Sequence, residues 1–381
     1  MACDTPGMRV LICPDKFAGT LSAPQVAAAV AEGWRQRAPD DEVMLRPLAD
    51  GGPGFLEVVA SAVGGRRLPV RTADPLGRPT TGDVLLVDGA VPTAYVESAQ
   101  ACGLHLLAAG ERDPKTTTSY GLGLLITAAV ETGARRVVVG LGGSATNDVG
   151  AGMLAALGVA TLDETGYALP YGGAALLAAA ALDGAPRLRG AELIAATDVD
   201  NPLTGPQGAA YVFGPQKGAT HQDVLLLDAA ADRFAAVLER DLPTCPRGVA
   251  GLPGAGAAGG LGAAILALGG QCESGIGLVS RLVRLDAALD VVDLVITGEG
   301  SFDGQSLRGK VVAGVAAAAR ARGVPCVVLA GRVDAPAAAE AGVTEAYALV
   351  DHFGGDVERA MREPAAGLRA LAAQLAERWH R

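Results

Sequence analysis

At 381 residues, with a formal net charge of −10 and no basic run, the chain carries no electrostatic footprint for nucleic acid. Half of its residues are apolar and 4% aromatic, yet no apolar stretch reaches the roughly 18–20 residues that span a bilayer. The six cysteines stand far apart with no C-x-x-C pair, which argues against a disulfide framework and a cysteine zinc site.

The length favours two domains. Met1–Gly7 read as a short extension, and with no export signal the expected location is the cytoplasm. Arg9–Cys13 is a short branched apolar run, hence a strand, and PDKFAGT follows it. Ser22 with Gln25 three positions on is a capping-box signature for a helix through about Arg37. Glu42–Leu48 is a second strand, ending in ADGGPG before a helix over Phe55–Val63. Between Arg66 and Ser98, short segments broken by Pro and Gly predict antiparallel or mixed sheet. A helix over Tyr120–Glu131 precedes the strand Arg136–Leu141, the loop GGSATNDVGAG and another helix. Glu192–Ala196 is a strand ending in TDVDNP, and His221–Arg240 a helix. From Pro253, PGAGAAGGLGAA runs into a helix, as either a linker or an Ala/Gly-packed helix start. Asp293–Thr297 is a strand ending in GEGSFDGQS, with a helix from about Lys310. Strands at Val324–Ala330 and Ala346–Val350 and one closing amphipathic helix, Val357–Trp379, complete the chain.

Strands alternating with helices imply parallel βαβ units. The expected fold is α/β: a discontinuous Rossmann-like parallel-sheet domain, residues 1–72 and 288–381, with an inserted α/β domain of mixed sheet, residues 73–287.

Five loops hold nearly all the unusual residues: PDKFAGT, ADGGPG, GLGGSATND, ATDVDNP and TGEGSFDGQS. Each follows a predicted strand, and the carboxyl ends of strands are where open α/β sheets bind ligands. The expectation is that these loops converge on one interdomain crevice. Singly, such loops are turns more often than sites. Gly140–Gly152 has the makings of a phosphate cradle: Gly142 and Gly143 open the backbone, and Ser144 and Thr146 add donors beside Ala145 and Asn147. Asp198 and Asp200 can hold Mg²⁺, or one of them can accept a hydroxyl proton; an Asx-turn before Pro202 is the structural alternative. Glu299 and Asp303 form a second acidic pair, and helix capping explains them equally. Only four of the 31 basic residues are lysines: Lys16, Lys115, Lys217 and Lys310. A lysine presents a compact charge to phosphate or carboxylate that Arg's planar fork does not reproduce. Lys16, Lys217 and Lys310 are therefore the candidate cations, and Asp50 with Gly51 a candidate for substrate hydroxyls.

The stretches PDKFAGTLSA, ADGG, GLGGSATND with GAGMLAALG, DVDNPLTGPQGAAYVFGPQKGAT, GAGAAGGLGAA and DLVITGEGSFDGQSLRGKVV together resemble the bacterial glycerate kinase family, of the glycerate 2-kinase type. Ala18 stands where that family often has a lysine, and Pro53 and Phe55 where it has Glu and Thr. The resemblance implies ATP-dependent phosphorylation of D-glycerate to 2-phosphoglycerate. In the mechanism it implies, Gly142, Gly143, Ser144, Ala145, Thr146, Asn147 and Glu299 bind nucleotide, and Asp198 and Asp200 hold Mg²⁺. Asp198, Lys217, Asp303 and Lys310 act in transfer, while Lys16, Asp50 and Gly51 seat the acid. Neither nucleic acid nor membrane is expected as partner, and a homodimer is left open. G-L-G-G-S-A also satisfies the dinucleotide pattern, so an NAD(P)-dependent oxidoreductase is the rival enzyme. A non-catalytic small-acid-binding protein is the third reading.

Overall fold

The computed structural model describes residues 7–304, 306 and 311–380. The chain divides into two compact units: Met1–Asp50 with Glu57–Val63 and Ile276–Arg381, and Gly51–Leu56 with Gly64–Gly275. The division falls elsewhere than at 72/73 and 287/288. Arg66–Ala73 pairs along its whole length with Pro79–Val87, so its backbone hydrogen bonds tie it to the second unit.

The first unit is built on a five-stranded sheet in the order Glu345–Ala348, Cys326–Ala330, Leu294–Thr297, Arg9–Ile12, Glu42–Leu45, with every neighbouring pair parallel. Leu294–Thr297 and Cys326–Ala330 are buried throughout, as parallel strands covered on both faces must be. One face packs on helices Ala23–Arg35 and Pro364–Trp379 through Val26, Val30, Trp34, Leu368, Leu371 and Leu375. Gly33 makes this close approach possible, since a Cβ there would stand 2.1 Å from the Arg369 carbonyl oxygen. At the start of Ala23–Arg35, the Ser22 N–H donates to Gln25 Oε1 (2.9 Å), while the Ser22 hydroxyl donates to Glu57 Oε1 (2.8 Å).

The closing segment differs from expectation. It is two helices, Val357–Arg362 and Pro364–Trp379, separated at Glu363. Proline has no N–H to continue the ladder and excludes its predecessor from helical geometry, so Pro364 starts a helix instead of extending one. Glu345–Ala348 likewise ends before Val350, giving way to the helical turn Leu349–His352.

The second unit has a mixed six-stranded sheet in the order Gln271–Glu273, Glu192–Ala196, Arg136–Gly140, Thr93–Glu97, Pro79–Val87, Arg66–Ala73. The first four run parallel and the last two join antiparallel. Helices Tyr120–Glu131, His221–Asp241 and Ala257–Ala267 enclose its core. Among the described residues no helix is long and apolar enough to cross a membrane.

Candidate active site

Counted along the chain, the first unit's strands lie in the order 5-4-3-1-2, so the sheet reverses direction between Arg9–Ile12 and Leu294–Thr297. Beyond the carboxyl ends of such a pair the flanking loops diverge and leave a crevice. A cavity of about 570 Å³ opens there, lined by the loops that leave these strands and their neighbours.

The first of these loops is set by its own residues. The Asp15 N–H donates to the Gly298 carbonyl and the Phe17 N–H to the Leu21 carbonyl, while the Phe17 ring is buried as an anchor. Asp15 and Lys16 are thereby presented to the cavity, and Asp50 reaches it after the chain beyond Glu42–Leu45 pairs Leu48 N–H with the Pro14 carbonyl. Lys16 Nζ lies 3.6 Å from both Asp15 Oδ1 and Asp50 Oδ1. Burial pushes the Asp15 carboxyl up to about 6 against the opposing pull of the Lys16 charge, and Asp50 adds to the rise. Glu299, Ser301, Asp303 and Arg332, on the loops that leave Leu294–Thr297 and Cys326–Ala330, line the same cavity. The Asp303 carboxylate accepts from the Ser301 hydroxyl (3.3 Å), and the Asp303 N–H donates to Ser306 Oγ. Lys310 lies outside the described residues.

Three further loops meet within the second unit. Gly51 has a φ of +90° and a Cβ there would come within 2.4 Å of the Ala196 carbonyl oxygen; one on Gly142 would come within 2.6 Å of Gly52 Cα. The glycines of ADGG and GLGG are thus needed where backbone meets backbone. Gly142 and Gly143 keep surface access, whereas Ser144, Ala145, Thr146 and Asn147 are buried. Their side chains turn inward. The Lys217 ammonium, itself 2% exposed, donates to Ser144 Oγ (3.0 Å) and to the Thr146 carbonyl (2.7 Å). The Thr146 hydroxyl and both ends of the Asn147 amide are buried with no protein hydrogen-bond partner. Burial brings Lys217 down to about 7, and the nearby Asp148 charge opposes that shift. Asp148 is also interior: its carboxylate accepts from Ser119 N–H and Oγ–H and from the Gly150 and Gly152 N–H groups. The loop thus offers a ligand its glycine backbone, while the Ser144 hydroxyl is engaged with Lys217 and the Thr146 hydroxyl is buried without a protein partner.

PGAGAAGG is a buttress. Ala258, Gly259 and Gly260 all have positive φ, and the Val149 N–H donates to the Gly259 carbonyl. A Cβ on Gly259 would stand 1.9 Å from the Thr146 carbonyl oxygen. Asp198 and Asp200 are exposed beyond the end of Glu192–Ala196, with Asp198 Oδ1 accepting from the Ser274 hydroxyl at 2.6 Å.

Asp15 and Arg332 join the sequence candidates. A signal existed for Asp15, an acid directly beside the candidate lysine at a strand end; none existed for Arg332, one of many arginines.

A doubly wound unit with a charged cavity at its switch point is the architecture of a small-molecule binding fold. The chain belongs to the glycerate kinase family, whose family model matches residues 10–380. A Bacillus subtilis glycerate kinase is 40% identical over 379 residues, covering 95% of this chain and 98% of the relative. The Escherichia coli K12 glycerate 2-kinase is 39% identical over 355 residues, covering 91% and 92%. A crystal structure from Salmonella typhimurium LT2, assigned to glycerate kinase 2, matches with a TM-score of 0.82 at 38% identity over 98% of each chain. The chain is therefore a kinase, a phosphotransferase drawing on ATP, which removes the dehydrogenase and binding-protein alternatives.

Proposed function

We propose that this chain phosphorylates D-glycerate on its 2-hydroxyl, with ATP and Mg²⁺, to give 2-phosphoglycerate. The observation that carries this reading is Lys16 standing between two carboxylates, Asp15 and Asp50, in the switch-point cavity. Glycerate brings one carboxylate and two hydroxyls. Lys16 takes the carboxylate, and the hydroxyl on the adjacent carbon then lies nearest Asp15 and Asp50, which favours the 2-position. Asp15, with its carboxyl near 6, is poised to accept that hydroxyl's proton around neutral pH. Phosphoryl transfer otherwise needs alignment and charge neutralisation, and Arg332 adds a second cation to the cavity lining.

Asp198 and Asp200 are hard oxygen donors at a strand end, and the Ser274 hydroxyl orients Asp198. Mg²⁺ takes one or two carboxylates and completes its shell with water and phosphate. When bound, Mg²⁺ would neutralise charge on the nucleotide phosphates. Asp198→Asn is expected to lower kcat at least about a hundredfold, the scale of losing one transition-state electrostatic contact, without changing the melting temperature, since Asp198 is exposed. Unchanged turnover removes it from the machinery. The backbone of Gly142 and Gly143 remains the candidate anion contact of the second unit, with Glu299 and Asp303 assigned to the nucleotide and transfer roles in the first.

The test is ³¹P NMR of the product from D-glycerate, ATP and Mg²⁺. Phosphate on the secondary carbon couples to one proton and gives a doublet. A triplet would place it on the primary hydroxyl and overturn the regiochemistry; no organic phosphate at all would overturn the activity.

A further inference from the structure

We propose that the apolar half of the switch-point cavity seats the purine base of the nucleotide, with the phosphates running toward Lys16 and Arg332. The proposal rests on the kinase reading and assigns a subsite to its co-substrate.

Size comes first. A cavity of about 570 Å³ lies in the range that accepts ligands of drug or nucleotide size, far more than a three-carbon acid fills. The charged lining residues sit on the loops that follow Glu42–Leu45, Arg9–Ile12, Leu294–Thr297 and Cys326–Ala330, and the acid occupies a fraction of the space.

The lining beyond Glu345–Ala348, the edge strand at the other side of the sheet from Glu42–Leu45, has a different chemistry. Leu349, Val350, Val357, Ala360, Met361 and Pro364 form it, and none is charged. Three of them, Val357, Ala360 and Met361, fall at i, i+3 and i+4 on the helix Val357–Arg362 and so share one face. That helix exists separately because Pro364 ends the run, so its apolar stripe lines the cavity, while Leu368, Leu371 and Leu375 of the next helix enter the core. Both arginines of the short helix are engaged: Arg359 pairs with Glu363 at 3.2 Å with its guanidinium 4.8 Å from the Phe353 ring centroid, and Arg362 lies 3.8 Å from the same carboxylate.

Met361 is the telling residue. It lines the cavity yet is 57% exposed, the largest exposure of any methionine, leucine or valine among the exposed large hydrophobics. An unbranched thioether adapts to a flat aromatic surface and attracts it through sulfur. A triphosphate or a hydroxy acid would gain nothing from this wall; a heteroaromatic base would cover it. The position also agrees with the sheet, since ligands of doubly wound folds lie outside the carboxyl ends of strands at the order reversal.

The test is isothermal titration of ADP into the full chain without glycerate, with Met361→Asn and Met361→Leu compared to the unaltered protein. ADP is expected to bind Met361→Asn at least tenfold more weakly and Met361→Leu within threefold of the starting affinity. Inorganic tripolyphosphate, which has no base, should bind all three alike. In turnover, Met361→Asn should raise KM for ATP and leave KM for glycerate in place. Unchanged ADP affinity in Met361→Asn, or a rise confined to KM for glycerate, overturns the base assignment. Either result in a protein that still makes phosphoglycerate leaves the kinase reading standing; absence of phosphoglycerate from the unaltered protein is the separate failure of that reading.

Discussion

Lys16→Ala is expected to reduce kcat/KM for glycerate by about 10²–10³-fold, the scale observed when one preorganised electrostatic contact to the reacting group is removed. Two losses combine. The substrate carboxylate forfeits its cation, and Asp15 and Asp50, each 3.6 Å from Lys16 Nζ, lose the charge that lets them share the cavity end. The second loss has its own signature. Burial already holds the Asp15 carboxyl near 6, and Lys16 is the main influence pulling it down. Without Lys16 the carboxyl moves further up, so the acid limb of the activity profile should shift to higher pH in the variant. The stability consequence has the same origin. A buried acid whose folded value exceeds its unfolded one binds more protons when folded, so its ionisation costs stability as pH rises through the window from about 4 to about 6. That cost should reach to higher pH in Lys16→Ala. Lys16→Arg separates charge from shape: a planar fork restores the sign of the charge but not its compactness, and only partial recovery is expected. A variant with unaltered kcat/KM and an unshifted acid limb would remove Lys16 from the site.

Most of this architecture is legible in the sequence because its elements obey local rules. Phe55–Val63, Tyr120–Glu131 and Glu192–Ala196 lie where periodicity and turn residues place them. The parallel sheet is legible too, since buried runs such as LVIT and CVVLA leave little alternative. The closing helix was misjudged because amphipathic periodicity continues across Pro364 while the backbone cannot; the proline was the readable signal. The site is harder to read, for a reason visible at GLGGSATND. Glycine and hydroxyl residues mark both an anion cradle and a backbone crossing, and sequence does not say which way a side chain turns. The Ser144 hydroxyl turns toward Lys217, which also takes the Thr146 carbonyl, and the glycines of ADGG, GLGG and PGAGAAGG accommodate neighbouring backbone. A scarce lysine likewise signals a task that arginine cannot perform, but not whether the task is catalysis or support.

Lys217→Met decides between those two tasks. A lysine acting on the transferred phosphoryl group would lose kcat on substitution and leave melting intact. The structure favours support: the Lys217 ammonium is buried and donates to Ser144 Oγ and the Thr146 carbonyl, both of them in the interior of the loop. Removing it strands the buried Thr146 carbonyl and Ser144 hydroxyl. Leaving two buried polar groups unsatisfied costs about 2–6 kcal/mol together, which for a unit of this size lowers the melting temperature by roughly 4–24 °C. The pH dependence gives an independent sign. Burial brings Lys217 down to about 7, whereas an unfolded lysine titrates near 10.5. Between those values the folded chain holds fewer protons than the unfolded one, so this residue makes stability rise with pH across that window. The methionine variant loses the contribution, and its melting deficit should therefore widen from pH 7 toward pH 10. A deficit that stays constant over that range, or intact melting with collapsed turnover, would return Lys217 to the chemistry and require the GPQKGAT segment to open during catalysis.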